Sequence, residues 1–546
     1  MEKRVIIAFV LSFVVLYVYT RLSSPPPAPQ QQAGVQTQPP AAAIPSSTPP
    51  GAPSEQKEPA PSTPVENIQA ERTEDISFET PLYAATISNV GGVLKSYRLK
   101  QYMDGEGHPL ELINEPAGTK VGWPLALITG DKSVDDELGQ ALFAGRKDAD
   151  RITLEFASNG LHAQKVMQFD RENYEFTLQT TVTKDGRNIQ HAVVWQGNFG
   201  DQAIPQDPAK KNAVYQADTS FKRVALRSLK DPQDFVSLRS GVEDQYFLAM
   251  FLLQDNPAAV KVRKQEYTGP DAKPVATLLV SANVTEGKSI RVYVGPKQRD
   301  WLSKADPQLE SVVDYGYFGF IARPLVFCLL WIHKYVGNFG WSIIFLTIGL
   351  NLVLFPLRLK QQVSMLKMQK IQPQMRRLQD QYKKLKANDP KRAQVQTEMM
   401  GLYKEHGVNP MGGCLPLLLQ MPLLFGFYSA LSYSIELRRA PWIFWIRDLS
   451  QYDPYYMIPI LMAVAMIVQQ KLTPTANVDP AQAKMMMIMP IMFTFIFLSY
   501  PSGTGLYWLT SNVIGIGQQV FINKYWSPQA EAKLRARAKP NEQRGA

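Results

Sequence analysis

Residues 505–519, GLYWLTSNVIGIGQQ, decide how the last third of this chain is read. The stretch is apolar enough to be a buried helix, yet polar groups recur in it at helical spacing. Trp508, Ser511, Asn512, Gly515, Gln518 and Gln519 fall on one side, because steps of three and four residues return to the same face. Lipid offers a polar side chain no partner, so such a face turns toward a protein interior or a water-filled hollow. Thr347 and Asn351 repeat the pattern one turn apart in an earlier apolar stretch, and Gln420 lies between Leu419 and Met421 in a third. A single such residue is ordinarily a helix–helix hydrogen bond, worth roughly 1 kcal/mol. Polar faces on three spans point instead to a shared hydrophilic cavity.

The rest of the chain supplies the setting. Val5–Tyr19 is apolar between Arg4 and Arg21 and has no small-x-small cleavage site after it, so residues 1–22 read as an uncleaved anchor with a cytoplasmic N-terminus. Residues 23–65 are rich in Pro, Ala, Gln and Ser and read as a disordered tether. Residues 66–310 carry period-two runs between Gly and Pro turns: RITLEF, YEFTLQT with Tyr174, Phe176 and Leu178 in phase, VATLLVSANV and SIRVYVG. They predict one large antiparallel β-sandwich outside the cytoplasm. Residues 311–336, with Arg323, His333 and Lys334 near the ends of an apolar run, read as an interfacial amphipathic helix.

Five further spans follow within 337–523: Gly340–Leu357, Cys414–Ser434, Tyr455–Gln469, Met485–Leu498 and Gly505–Phe521. The first two enclose a basic segment, 358–407. Its stripes Leu378, Tyr382, Leu385 and Val395, Met399, Leu402 predict an antiparallel helical hairpin capped by Asp389. Residues 524–546 form a basic tail. The fold class expected is a polytopic α-helical membrane protein with six transmembrane helices and a large extracytoplasmic all-β domain.

Charge supports that layout. Residues 66–310 hold 29 Lys and Arg against 34 Asp and Glu, a net −5, so the remainder of this +10 chain carries +15. Positive charge beside apolar spans marks the cytoplasmic side, which puts hairpin and tail within. Either could also meet anionic lipid or ribosomal phosphates. Five methionines crowd the span Met485–Leu498; Met485, Met486, Met489 and Met492 are candidates for an adaptable surface that accepts varied apolar partners. Pro356, Pro416, Pro422, Pro459 and Pro490 predict short or bent helices and a locally thinned bilayer. Cys328 and Cys414 lie by the membrane, so the polar domain has no disulfide framework. No nucleotide loop, HExxH or GxSxG is present, and nothing suggests catalysis or a cofactor.

Two stretches, NPMGGCLPLLLQMPLLFGFY (409–428) and GLYWLTSNVIGIGQQ, together with the order of parts, resemble the YidC/Oxa/Alb family of membrane protein insertases in its Gram-negative form. The resemblance implies a periplasmic sandwich of galactose-mutarotase-like shape and a five-helix core enclosing a groove open to cytoplasm and lipid. It implies an inner-membrane insertase and chaperone, with nascent membrane proteins as substrates, taken alone or with the Sec translocon. Thr347, Gln420, Trp508 and Ser511 match groove positions, and the hairpin matches a substrate-recruiting element. One departure stands out: where family members commonly carry a groove arginine, this chain has Asn351. Arg358, seven residues on, is the candidate rim cation. The competing reading is a transporter or channel with an accessory sugar-binding-like domain; it predicts charged residues in the spans or inverted repeats.

Overall fold

The computed structural model describes residues 67–202, 210–254, 256–269, 271–284, 287–386, 389–406, 415–472 and 480–526. The expected anchor, the tether and all but the first three residues of the basic tail lie outside them.

Between Asp75 and Pro296 the described chain forms antiparallel strands in sheets of four, ten and five strands. RITLEF lies in the strand Arg151–Ser158, VATLLVSANV in Pro274–Val284 and SIRVYVG in Ser289–Pro296. Alternation chose the inward face correctly: Tyr174, Phe176 and Leu178 are all buried in one core. Phe247–Leu252, inside the ten-stranded sheet between Arg239–Glu243 and Ser289–Pro296, is buried at every position. Short helices at Glu115–Val121, Lys132–Gln140 and Arg299–Ala305 correct the all-β expectation in detail. The first two lie in strand connections and are capped by Asn114 and Asp131, and the third follows the last strand.

Seven helices follow: α1 (Gly319–Val336), α2 (Phe339–Lys384), α3 (Lys391–Glu405), α4 (Leu415–Tyr433), α5 (Met457–Leu472), α6 (Pro480–Phe497) and α7 (Ser502–Phe521). Each of the five stretches read as core spans coincides with a helix. The helix that carries Pro356 is not short. α2 runs on through Pro356 and Pro373 for 46 residues, roughly 69 Å at 1.5 Å per residue. Proline at 356 removes one backbone bond, and its ring is exposed, so the flanking turns carry the helix past it. The hairpin is α2's far half folded against α3. Ile371 and Met375 are buried with Val395, and the Arg392 guanidinium lies 4.3 Å over the Tyr382 ring.

By length and composition, α1 and Phe339–Gln361 are the two described helices long and apolar enough to cross a membrane; Met457–Leu472 and Met487–Phe497 are apolar but shorter. The bundle is apolar on its outer faces as well as in its core. Large apolar side chains face outward on α2 (Phe345, Leu352, Val353), α5 (Ile460, Val464) and α6 (Ile488, Ile491, Phe495), while Thr347, Asn351, Thr504 and Ser511 are buried. A contiguous apolar exterior of this extent suits lipid rather than water.

The two ends of the bundle differ. At one end Asn338 donates to the carbonyls of Pro441 and Trp442, and the Ser502 and Gly503 amides donate to Gln451 and Leu449. The 434–456 loop therefore gathers the starts of α2 and α7, and its Ile435 side chain joins the β-domain core. At the other end Asn523, just beyond α7, donates to the carbonyl of Leu472, where α5 closes, and α2 continues into the hairpin. The β domain and the basic hairpin thus sit at opposite ends.

Candidate functional site

Polar residues are buried at several levels of the bundle, from Thr504 near the loop end of α7 to Gln361 on the hairpin side of α2. Thr347 is fully buried and donates to the Ile343 carbonyl at 2.6 Å, the back-bonding open to a hydroxyl within a helix. Asn351, one turn on, donates to the Thr347 carbonyl at 2.8 Å, and its side-chain oxygen has no partner among the described residues. Gln518 of α7 bridges the two helices. Its Nε2 donates to the Asn351 carbonyl at 3.3 Å, and its Oε1 accepts from Arg358 Nη1 at 2.8 Å. Asn351, Arg358 and Gln518 are thereby brought into one cluster. Gly515 lies beside it: a Cβ there would meet the flexible end of Gln469 at 2.8 Å and stand in ordinary contact, 3.5 Å, with Arg358 Nη1.

Gln420 on α4 donates to the Tyr507 hydroxyl at 2.6 Å, and the Tyr507 ring stacks on Phe427 at 4.0 Å. The sequence reading missed Tyr507, although steps of four from it reach Ser511, Gly515 and Gln519. Trp508 goes elsewhere. It is buried flat against Phe493, 5.4 Å between ring centres, and beside Phe497, so it walls the apolar core and leaves its indole N–H unpartnered. Ser511 is buried and Asn512 half-buried. Gln519 reaches only Asn523 on its own last turn, at 2.8 Å.

Asn351 Oδ1, Thr504 Oγ1, Trp508 Nε1, Asn512 Nδ2 and Gln361 Nε2 are buried polar atoms without a protein partner among the described residues. Each such atom costs roughly 1–3 kcal/mol unless something polar satisfies it. Thr504 near the loop end and Gln361 near the hairpin end extend this set of buried polar groups beyond the residues singled out from sequence. Both lie on the buried side of their helices, a signal that periodicity alone does not rank. Along this interior Arg358 is a half-buried cation with an amide partner and no carboxylate among the described residues.

The methionines divide. Met489 and Met492 are half-buried against the helical core, whereas Met487, Ile488, Ile491 and Phe495 make the exposed stripe of α6. Met485 and Met486 lie on the same helix, with side chains outside the described set. Among the described residues no group of three His, Cys, Asp or Glu is placed to hold a metal.

A sheet domain docked on a helical bundle that is apolar outside and holds buried polar groups defines the fold class of a membrane protein. Residues 331–530 match the family described as 60Kd inner membrane protein, and residues 75–328 match the YidC periplasmic domain. The membrane protein insertase YidC of Geotalea daltonii is 36% identical over 552 residues, spanning 96% of this chain and 99% of its own. That of Citrifermentans bemidjiense is 38% identical over 561 residues, with the same coverage. A solved YidC insertase structure is 22% identical and covers 85% of this chain and 95% of its own, with a TM-score of 0.36. A galactose mutarotase-like protein from Lactobacillus casei, 10% identical, covers 41% of this chain and 100% of its own at a TM-score of 0.31. The chain belongs to the YidC family of membrane protein insertases.

Proposed function

We infer that this protein inserts nascent membrane proteins into the bacterial inner membrane and assists their folding, with its large β domain in the periplasm. The observation that carries the reading is the row of buried, unpartnered polar atoms inside a bundle coated with apolar side chains. A polar segment of substrate satisfies those atoms while its apolar segment leaves along the outer surface. Burial of the substrate helix drives the net change, at about 25 cal/mol per Å². The full-length identity to proteins named membrane protein insertases supports the same conclusion.

The topology proposed is six crossings, the anchor at 1–22 and α2, α4, α5, α6 and α7, with both termini cytoplasmic. The opposite placement of β domain and basic hairpin supports it. α1 lies along the periplasmic surface, because its exposed face mixes Arg323 and Lys334 with Phe320, Trp331 and Tyr335. The working groove is Thr347, Asn351, Gln420, Ser511, Asn512 and Gln518, with Tyr507 and Thr504 added; Trp508 supports its wall and Gln519 its cytoplasmic end. The outer path for the apolar segment is Met487, Ile488, Ile491 and Phe495, with Met485, Met486, Met489 and Met492 flanking it. Hairpin and tail serve recruitment, from the Sec translocon or the ribosome. No cofactor takes part.

Substrate charge is read at Arg358 rather than at Asn351. Insertion of acidic-tailed and neutral-tailed two-span substrates into proteoliposomes measures this. Arg358→Ala lowers the acidic preference and Asn351→Ala leaves it; the opposite pattern would overturn the assignment. Cysteines placed singly at 347, 420 and 511 react with a water-borne thiol reagent in the resting protein. Complete protection at all three would rule out a wet groove. Ion flux through sealed vesicles without substrate would favour the channel reading instead.

A further inference from the structure

The 434–456 loop joins α4 to α5, and its side chains divide between core and surface. Leu437, Ala440, Ile446 and Leu449 are buried in the helical core. At the tip, Phe444 is 86% exposed, and Tyr452 and Tyr455 are 52% and 66% exposed. A loop that meets only water ordinarily carries small or polar tips, because an exposed ring leaves apolar area in water. These rings are held in place. Asp453 is buried, and its Oδ1 accepts from the Trp445 indole at 2.9 Å and from the Tyr455 amide at 3.0 Å. Its Oδ2 accepts from the Ile458 amide, in the first turn of α5, at 2.8 Å. Phe444 stacks on Trp445, Tyr455 meets the same indole edge-on, and Tyr452 lies parallel to Tyr456. Phe444 and Tyr456 also have φ of 50° and 57°, a left-handed backbone that bulky residues rarely adopt and that recurs where a surface has a task.

We propose that this tip is a lipid-docking surface: Phe444, Tyr452 and Tyr455 sit at headgroup level in the outer leaflet beside α5, and Arg447 takes a phospholipid phosphate. Two observations choose lipid as the occupant. The tip is continuous with the apolar face of α5, since Tyr455 and Tyr456 lead directly into exposed Met457, Ile460, Leu461 and Val464. Its charge is complementary, since Arg447 is exposed three residues from Phe444 and has no carboxylate partner among the described residues. Tyrosine presents an apolar ring to acyl chains and a hydroxyl to phosphate and ester oxygens, and guanidinium pairs with phosphate through two parallel N–H groups. Docked in this way, the loop fixes the depth of α5 from its outer end. The proposal rests on α5 crossing the bilayer, not on what the polar groups inside the bundle do, and its test separates the two.

The experiment uses the full chain with Cys328→Ser and Cys414→Ser, in vesicles of phosphatidylethanolamine and phosphatidylglycerol. A single spin label replaces Phe444, Tyr455, Val464 or Val236, all of them exposed. Relaxation by oxygen, which concentrates in lipid, is compared with relaxation by a water-soluble nickel chelate. The oxygen-to-nickel ratio at 444 and 455 falls between that at 464, in the middle of α5, and that at 236, on the sheet domain, and exceeds the latter by about threefold or more. Arg447→Gln lowers the ratio at 444 by about twofold or more, and Arg447→Lys, which keeps the charge, lowers it less. Ratios at 444 and 455 equal to that at 236 overturn the proposal, as does an Arg447→Gln protein that matches the parent. So does protection that vanishes when the protein is diluted with further lipid, which assigns the tip to a second copy of the chain. A label at 464 as open to nickel as that at 236 overturns the proposal together with the crossing of α5. Insertion of a two-span substrate is scored in the same vesicles: a parent protein that inserts nothing refutes the insertase reading, while the depth ratios still decide the docking.

Discussion

Lys165 is the clearest case of a residue whose setting sequence could not supply. It is fully buried in the β domain, where its ammonium donates to the carbonyls of Gly91, Gly92 and Leu125 at 2.9, 2.8 and 2.8 Å. Burial pulls it down from its ordinary 10.5 to about 7. Between those values the unfolded chain holds the proton and the folded chain releases it, so stability rises with pH across that window. The β-domain melting temperature should climb between pH 7 and pH 9, and climb less in Lys165→Met. Lys211, lowered to about 8 by burial, acts in the same direction and remains in both proteins. An equal slope in the two would dismiss the account. In the bundle, Gln518→Leu keeps the Arg358 charge but removes the amide that orients it. Its acidic-substrate preference should fall as far as that of Arg358→Ala, with neutral substrates inserted at near-parent rates. Polar faces were legible because they break an apolar run. Which members meet was not, since Trp508 and Tyr507 are neighbours in sequence and face different partners.

Elements meet here through small residues. Gly340 opens α2 beneath the Trp442 ring, and a Cβ there would stand 2.0 Å from Cδ1 and 2.2 Å from Cγ. A rigid indole cannot yield as a flexible chain end does, so Gly340→Ala should destabilise the detergent-solubilised protein by about 1–3 kcal/mol. Gly349, on the same helix, meets nothing within 4 Å, and Gly349→Ala should be neutral or stabilising by up to about 1 kcal/mol. Thermal unfolding of both variants reads the difference; equal shifts would mean that contact at Trp442 is unimportant. In the hairpin, Val395→Asp places a charge where α3 meets α2 and should speed protease cleavage near residues 385–406, leaving the β domain resistant. Element positions were largely legible, because the apolar runs are long and the strand alternation is strict. The length of α2 was not. Proline is a local break signal, and its cost was outweighed by turns on either side that the sequence does not weigh against it.

As a whole the molecule couples a sheet domain at one end to a basic hairpin at the other through a bundle that is apolar on its outer faces as well as in its core. That exterior predicts detergent dependence. Removing detergent should aggregate the chain through the faces of α2, α5 and α6, and substituting Leu352, Val464 and Ile491 by serine should slow aggregation while weakening membrane integration, measured by flotation. A chain that stays monomeric without detergent would contradict it. For the described residues the sequence by itself indicated where strands give way to helices and which apolar runs carry buried polar side chains. These depend on composition and periodicity, which act within a few residues of one another. Only the tertiary structure decided that Arg358 meets Gln518, that Gln420 meets Tyr507 and that Arg438 is enclosed by Asp201, because these contacts join positions 87 to 237 residues apart. No local propensity specifies such pairs; they follow from how helices and sheets close-pack into one volume.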